Sequence, residues 1–215
     1  MSVLDQQIAA LRRSMAEPPS LDAEDLLIVR DLTDRPLRPS EPPTGVIPRY
    51  SAALLLLYPH NGELWLPLTV RSARVTTHRG EVSLPGGGRD PEDADLHATA
   101  LREAHEELGI HPGSVEVLGT LSAFYIAPSN NILTPVVGLG PAEPTLSPDP
   151  HEVEAAFSVP LRELFEPSTI REEIWELRGM QLRIPFFALA GYKVWGATAF
   201  LLSELVARMR RSRAY

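Results

Sequence analysis

Gly87-Gly88-Arg89-Asp90-Pro91-Glu92-Asp93-Ala94-Asp95-Leu96-His97-Ala98-Thr99-Ala100-Leu101-Arg102-Glu103-Ala104-His105-Glu106-Glu107-Leu108-Gly109-Ile110 is the stretch on which the reading of this chain turns. Between Arg102 and Glu107 it packs three glutamates and one arginine. At roughly 100° per residue, Glu103, Glu106 and Glu107 fall within about a third of a helix circumference. Leu101, Ala104 and Leu108 occupy the opposite face, where they are expected to pack on a core. Thr99 and His105 are expected to face solvent. Clustered carboxylates repel one another unless a cation neutralises them, and hard oxygen donors select ions such as Mg²⁺ or Mn²⁺.

A solvated acidic face is the usual fate of such a helix, but the flanks oppose that reading. Pro85-Gly86-Gly87-Gly88 can take positive φ and bring backbone close to a ligand. Asp93 or Asp95 can cap the helix N-terminus, and Leu108-Gly109-Ile110 offers a glycine stop with an apolar anchor. Together they predict a glycine turn followed by a helix that holds a divalent ion on one face and is buried on the other.

The run resembles the Nudix box, Gly-x5-Glu-x7-Arg-Glu-U-x-Glu-Glu-x-Gly-U, in which U is a bulky aliphatic. Gly88, Arg102, Glu103, Glu106, Glu107, Gly109 and Ile110 match it. Ala94 stands where the pattern has its first glutamate, with Asp93 and Asp95 on either side, and Ala104 replaces the larger aliphatic. The resemblance implies an α+β fold, an α/β/α sandwich around a mixed sheet. It also implies hydrolysis of a pyrophosphate within a nucleoside diphosphate linked to another group. Glu103, Glu106 and Glu107 are then the metal ligands, with backbone near Gly87 and Gly88 as a further carbonyl donor. Arg102 is expected to orient a glutamate rather than touch substrate. Two residues compete for the role of base, Glu103 and Glu152.

Upstream of the box, Arg71, Arg74, His78 and Arg79 gather cationic groups. The planar fork of arginine matches phosphate oxygens and keeps its charge. This stretch is similar to the signature of Nudix hydrolases that cleave coenzyme A, Leu-Leu-Thr-x-Arg-Ser/Ala-x3-Arg-x3-Gly-x3-Phe-Pro-Gly-Gly. Leu68, Thr69, Arg71, Ser72, Gly80, Pro85, Gly86 and Gly87 match, whereas Pro67, Thr76 and Leu84 depart from it. Further on, Glu152-Val153 with Val159-Pro160-Leu161, and Trp195-Gly196-Ala197-Thr198-Ala199, resemble two later elements of the same branch. The implied substrate is coenzyme A or a derivative, split into 3′,5′-ADP and (acyl-)4′-phosphopantetheine. Arg71, Ser72, Arg74, His78, Arg79, Gly87 and Gly88 are the implied binding set. ADP-ribose, NADH and dinucleoside polyphosphates are the alternative substrates on the same helix. A non-catalytic nucleotide-binding module is disfavoured by the full carboxylate set. Phe186, Phe187, Tyr192 and Trp195 are read chiefly as packing.

The remaining composition narrows the class. A chain of 215 residues is long enough for one well-buried domain and some extra length. A formal charge of −8 argues against a nucleic-acid backbone as partner. There is no cysteine, so neither a disulfide framework nor a thiol nucleophile is available. The longest apolar run, Ala52 to Tyr58, is far below the roughly twenty residues that span a bilayer. Met1 to Asp5 does not read as the start of a secretory signal. The expectation is a cytoplasmic protein with a small-molecule nucleotide substrate and no membrane partner.

Residues 1–46 read as an N-terminal extension, and 47–215 as the Nudix-like domain. The extension consists of a helix with Leu4, Ile8, Leu11 and Met15 in register, a short element at Leu26 to Val29, and a proline-crowded connector. A homodimer through this arm is compatible with the sequence, which leaves the oligomeric state open. In the domain, Ser51 to Tyr58 and Leu64 to Arg71 are predicted strands around an Asn61-Gly62 hairpin. Val115 to Ile126 and Ile132 to Leu139 are also strand-like. A hairpin around Arg178-Gly179 and a closing helix from Thr198 to Met209 follow.

Overall fold

The computed structural model describes residues 2–16, 21–37, 41–72, 80–177 and 179–212. In chain order the elements begin with α1 (Val3–Ala16), β1 (Arg30–Asp31), β2 (Arg49–His60), β3 (Glu63–Arg71), β4 (Val82–Ser83) and β5 (Gly86–Gly88). Next come α2 (Leu96–Leu108), β6 (Glu116–Thr120), β7 (Phe124–Ile126), β8 (Asn131–Leu139) and β9 (Val153–Pro160). The chain closes with β10 (Ile170–Leu177), β11 (Met180–Leu189), β12 (Tyr192–Trp195) and α3 (Gly196–Arg211).

β2 organises the molecule. Every residue from Ser51 to Tyr58 is buried, as a strand covered on both faces requires. Ala52, Leu54, Leu56 and Tyr58 pack with Ala100, Ala104 and Leu108 of α2. The alternate residues, Ala53, Leu55 and Leu57, join Leu11 of α1 and Leu202 and Leu205 of α3. The two-residue period of a strand thus sorts one apolar run between two helical layers. The sheet runs β4-β3-β2-β8-β6, with β5 also on β2, β7 also on β8 and β9 on β3. β2 and β8 pair in parallel from Arg49 opposite Asn131 to Leu57 opposite Leu139, while the other pairs are antiparallel, so the sheet is mixed. A second sheet has β11 at its centre, paired with β1, β10 and β12. The architecture is the expected α/β/α sandwich, with that second sheet beside it.

The hairpin between β2 and β3 turns at Asn61 (φ 49°) and Gly62 (φ 81°), the positive pair that a tight hairpin needs. Elsewhere the elements differ from expectation. The strand expected over Val115 to Ile126 breaks into β6 and β7. Leu121 N–H still reaches Pro135 O at 2.9 Å, but Ser122 N–H leaves the sheet for Glu204 Oε1 at 2.8 Å. Pro135 has no N–H to offer in return, so the ladder cannot continue there. Leu26 to Val29 form no regular element. Leu27 N–H instead bonds the Ser203 hydroxyl of α3 at 3.0 Å, and the adjoining β1 pairs with β11. β12 was not foreseen because its turn uses Ala190 at φ 48° before Gly191, a position that alanine rarely marks.

The N-terminal helix lies on the domain, with Ala10 and Leu11 fully buried, and Gln7 Oε1 accepts from Leu64 N–H at 2.6 Å. Phe186 and Phe187 are buried, Tyr192 stacks on Phe157 at 4.8 Å, and Trp195 meets Trp175 edge-on at 5.2 Å. Leu55 sits in the centre of β2 with no exposure, so Leu55→Ala is expected to cost about 3 kcal/mol in urea unfolding. A loss below about 1 kcal/mol would show that the two layers do not lean on this strand.

Candidate active site

The glycines before α2 work differently from expectation. Gly86, Gly87 and Gly88 form β5, an extended strand against Ser51 to Ala53 of β2, and none of them has positive φ. What the positions demand is space. A Cβ on Gly86 would stand 2.5 Å from Ala52 O and 2.6 Å from Ala53 Cα. A Cβ on Gly87 would press on the Glu103 carboxylate. Bare backbone therefore lets the strand touch β2 on one side and the glutamates of α2 on the other.

α2 begins at Asp95, whose side chain accepts from Ala98 N–H at 2.8 Å, so Asp95 rather than Asp93 is the cap. It ends at Gly109 (φ 72°), with Gly109 N–H on His105 O at 2.8 Å and Ile110 N–H on Ala104 O at 3.3 Å. The last carbonyls are met from outside the helix. Ser147 N–H reaches Leu108 O at 2.8 Å and Asp149 N–H reaches Glu107 O at 2.9 Å. The same loop turns on Asp149 O, which accepts from Glu152 N–H and Val153 N–H, and Ser72 N–H holds Glu152 O at 2.8 Å. Glu152, distant in sequence, thereby stands within electrostatic reach of Glu103 and Glu107.

Arg102 is the centre of the polar network. Its Nε and Nη2 grip both oxygens of Asp93 at 3.0 Å, and Nη1 donates to Glu103 Oε1 at 2.9 Å and Glu106 Oε2 at 2.8 Å. Nη2 also donates to Gly88 O at 2.9 Å. All five guanidinium donors are thus used within the protein, as expected of a residue that orients glutamates. Asp93 is 8% exposed and is held further by Asp90 N–H and the Thr99 hydroxyl, both at 2.9 Å. The Arg102 bonds hold its carboxyl well below the usual carboxylate range, against the opposing effect of burial.

One expectation about the helix faces fails. Thr99 is fully buried rather than solvent-facing, because its hydroxyl serves Asp93. Glu107 is only 3% exposed, although it belongs to the acidic stripe. It fits inside because β5 presents no side chains, and its Oε1 lies 3.5 Å from Gly86 N. Burial pushes the Glu107 carboxyl up to about 8, helped by Glu152 and Glu103 and opposed by Arg71. Burial also lifts Glu103, with Arg102 pulling the other way.

Among the described residues, no three carboxylate or imidazole groups already close around one point. Arg102 takes one oxygen from each of Glu103 and Glu106, leaving the second oxygen of each for another cation. Those oxygens, with a buried Glu107 whose carboxylate has one long contact among the described residues, make a hard-donor set suited to a divalent ion. Of the cationic residues, Arg71 stands at the end of β3 with its charge acting on Glu107, and its buried Nε has no partner among the described residues. Ser72 is buried beside it. Arg74, Thr76, His78 and Arg79 lie outside the described residues. A cavity of about 410 Å³ opens at the other end of α2, lined by Arg89, His97, Thr120 and Thr134 among others. None of the three glutamates lines it, so the carboxylates rather than the volume locate the chemistry.

The NUDIX domain profile matches residues 48–178, more than half of the chain. The chain belongs to the Nudix family of hydrolases. It is 40% identical over 149 residues to "Uncharacterized Nudix hydrolase NudL" of Photorhabdus laumondii, covering 67% of this chain and 77% of that one. It is 43% identical over 116 residues to the peroxisomal coenzyme A diphosphatase NUDT7 of Mus musculus, covering 54% of this chain and 49% of that one. Human NUDT8, named a mitochondrial coenzyme A diphosphatase, is 36% identical over 158 residues, 72% of this chain and 66% of its own. Among solved structures, a MutT/nudix family protein from Enterococcus faecalis superposes with a TM-score of 0.50 at 17% identity. It covers 80% of this chain and 64% of the other, and speaks for the fold. No helix among the described residues is long and apolar enough to cross a membrane.

Ala94 stands where the Nudix pattern has a glutamate, and the carboxylate next to it, Asp93, bonds Arg102. Nothing local marks that role, because Asp93 lies outside α2 and meets Arg102 only through the turn at Asp90 to Asp93.

Two measurements follow from this geometry. Gly86→Ala strikes backbone and is expected to cost about 2 kcal/mol of stability. Gly87→Ala strikes only the end of Glu103, so the fold should survive while hydrolytic turnover falls about 100-fold. Equal stability losses in the two would contradict this division. For Asp93, the depressed carboxyl contributes stability that is present above its ordinary value near 3.8 and is lost as pH falls below it. Urea unfolding between pH 5 and pH 3 should therefore fall more steeply for the native protein than for Asp93→Asn.

Proposed function

We propose that this Nudix hydrolase splits the pyrophosphate bridge of coenzyme A and its derivatives, yielding 3′,5′-ADP and (acyl-)4′-phosphopantetheine, with Mg²⁺ or Mn²⁺. The observation that carries the reading is Arg71, whose buried Nε has no partner among the described residues and whose charge acts on Glu107 from the strand bearing the coenzyme A-like signature. The likeness to NUDT7 and NUDT8 supports the same substrate class. Residues 47–215 are proposed as the catalytic unit, with residues 1–46 as an extension whose helix α1 packs on it.

Glu103, Glu106 and Glu107 are the residues that would hold the ion, which supplies positive charge against the phosphate oxygens and makes nearby water more acidic. Arg71 adds its own charge to that task and orients a phosphate through the fork of its guanidinium. Arg102 stays with the glutamates, since its donors are already used. Glu152 is the proposed base. It is exposed, and among the described residues its carboxylate has no hydrogen-bond donor, whereas Glu103 Oε1 is held by Arg102. In the hydrolysis, water oxygen bonds to phosphorus, the bridging P–O bond breaks with its electron pair on the leaving phosphate, and Glu152 takes the proton of the water.

Products from coenzyme A, ADP-ribose, NADH and diadenosine polyphosphates, assayed in parallel with Mg²⁺ and Mn²⁺, test the substrate. Coenzyme A should be preferred. Much faster turnover of ADP-ribose would overturn the substrate while leaving the reaction class, and binding without turnover of any of them would favour a regulatory module. Glu152→Gln is expected to lower kcat about 100-fold or more with ion affinity unchanged. Glu103→Gln should weaken the ion instead, and a reversal of these two effects would move the base to Glu103.

A further inference from the structure

We propose that Asp93, outside the residues that match the Nudix pattern, is a positioning residue that keeps Arg102 from competing with the divalent ion for Glu103 and Glu106. The inference rests on reading Glu103, Glu106 and Glu107 as the ion-holding set.

The argument begins with the valence of one guanidinium. Arg102 presents five N–H groups, and Asp93 occupies two of them through a two-pronged contact with both bonds at 3.0 Å. Gly88 O takes a third at 2.9 Å. Only the two donors of Nη1 remain, and they go one each to Glu103 Oε1 and Glu106 Oε2. Each glutamate is therefore oriented by a single bond and keeps a second oxygen for the ion. Without Asp93, Nε of Arg102 would lose its acceptor and Nη2 would keep Gly88 O, on a side chain that is 25% exposed. Asp90 Oδ2 lies 3.9 Å from Nη2, and the carboxylates already bonded to the guanidinium, Glu103 and Glu106, each carry a second oxygen. An arginine that closed on them with both edges would occupy the oxygens the ion needs. Asp93 removes that option by saturating the far edge of the guanidinium.

Asp93 is itself built in to do this. Its turn is closed by Asp93 N–H on Asp90 O at 3.1 Å, and its Oδ2 receives Asp90 N–H and the Thr99 hydroxyl. Thr99 is wholly buried, so this bond lies in a dry environment where geometry is held firmly. Ala94, at the position where the family pattern has its first glutamate, lines the cavity at the start of α2. The neighbouring Asp93 supplies the carboxylate that meets Arg102.

The test is Mn²⁺ titration calorimetry on the full chain, with circular dichroism to establish folding, for the native protein, Asp93→Ala and Thr99→Val. Asp93→Ala leaves all three glutamates intact and is expected to weaken Mn²⁺ about tenfold or more. Thr99→Val, which removes only the buried hydroxyl, should weaken it less and in the same direction. Turnover of Asp93→Ala should recover substantially as Mn²⁺ is raised, with KM for the nucleotide little changed. A folded Asp93→Ala that binds Mn²⁺ as tightly as the native protein overturns the proposal, since a merely structural aspartate would lower stability and leave ion affinity alone. If Asp93→Ala does not fold, Thr99→Val decides: weakened binding supports the role and unchanged binding overturns it. Failure of the native protein to bind Mn²⁺ would sink the ion-holding reading itself, a result distinct from equal binding by native and variant.

Discussion

Three glutamates on adjoining turns of one helix are mutually repulsive, and one of them is buried. Two like charges about 4 Å apart repel by roughly 4 kcal/mol at an effective dielectric constant near 20. In the absence of an ion, the compensation within this protein comes chiefly from Arg102, with Arg71 acting on Glu107. Because the guanidinium keeps its charge and directs five donors along fixed lines, it draws Glu103, Glu106, Asp93 and Gly88 O into one arrangement. That arrangement ties the loop before α2, the edge of β5 and the middle of the helix together. The geometry of the carboxylates and the local fold are consequently a single problem with a single solution.

The rest of the domain makes that solution stiff. β2 is sandwiched between α2 on one face and α1 with α3 on the other, so its backbone has little freedom to move. β5 pairs with the first half of β2 and approaches α2 without side chains. The position of the glutamates relative to the glycine strand is therefore inherited from the core rather than from a loop. The loop from Ser147 to Val153 extends the same logic at the other end of α2. Its N–H groups meet the last carbonyls of the helix, and in doing so they deliver Glu152 to the carboxylates. The same short turn supplies the donors that the helix end needs and carries Glu152 to the carboxylates.

Much of this was legible because the relevant signals are local. The apolar run from Ala52 to Tyr58, the Asn61-Gly62 turn and the acidic spacing on α2 each act within a few residues. Splitting of the strand at Leu121 to Ala123 was not legible. It depends on Pro135 and Glu204, one on a neighbouring strand and one on the last helix. β12 escaped for a similar reason, since Ala190 takes a positive φ that its residue type does not announce. At the site, the family pattern named the glutamates, but it pointed to position 94 for a carboxylate that the fold draws from position 93.

The sequence by itself determined the class of chemistry, because three carboxylates and an arginine at helical spacing behind bare glycines admit few other uses. It also marked Ser51 to Tyr58 as an apolar strand. Only the tertiary structure decided which of those carboxylates is buried, which aspartate grips Arg102, and that the glycines serve close packing rather than positive φ. The physical reason is range. Periodicity and turn preference are set by covalent neighbours. Desolvation, donor valence and steric clearance depend on groups brought together from distant parts of the chain.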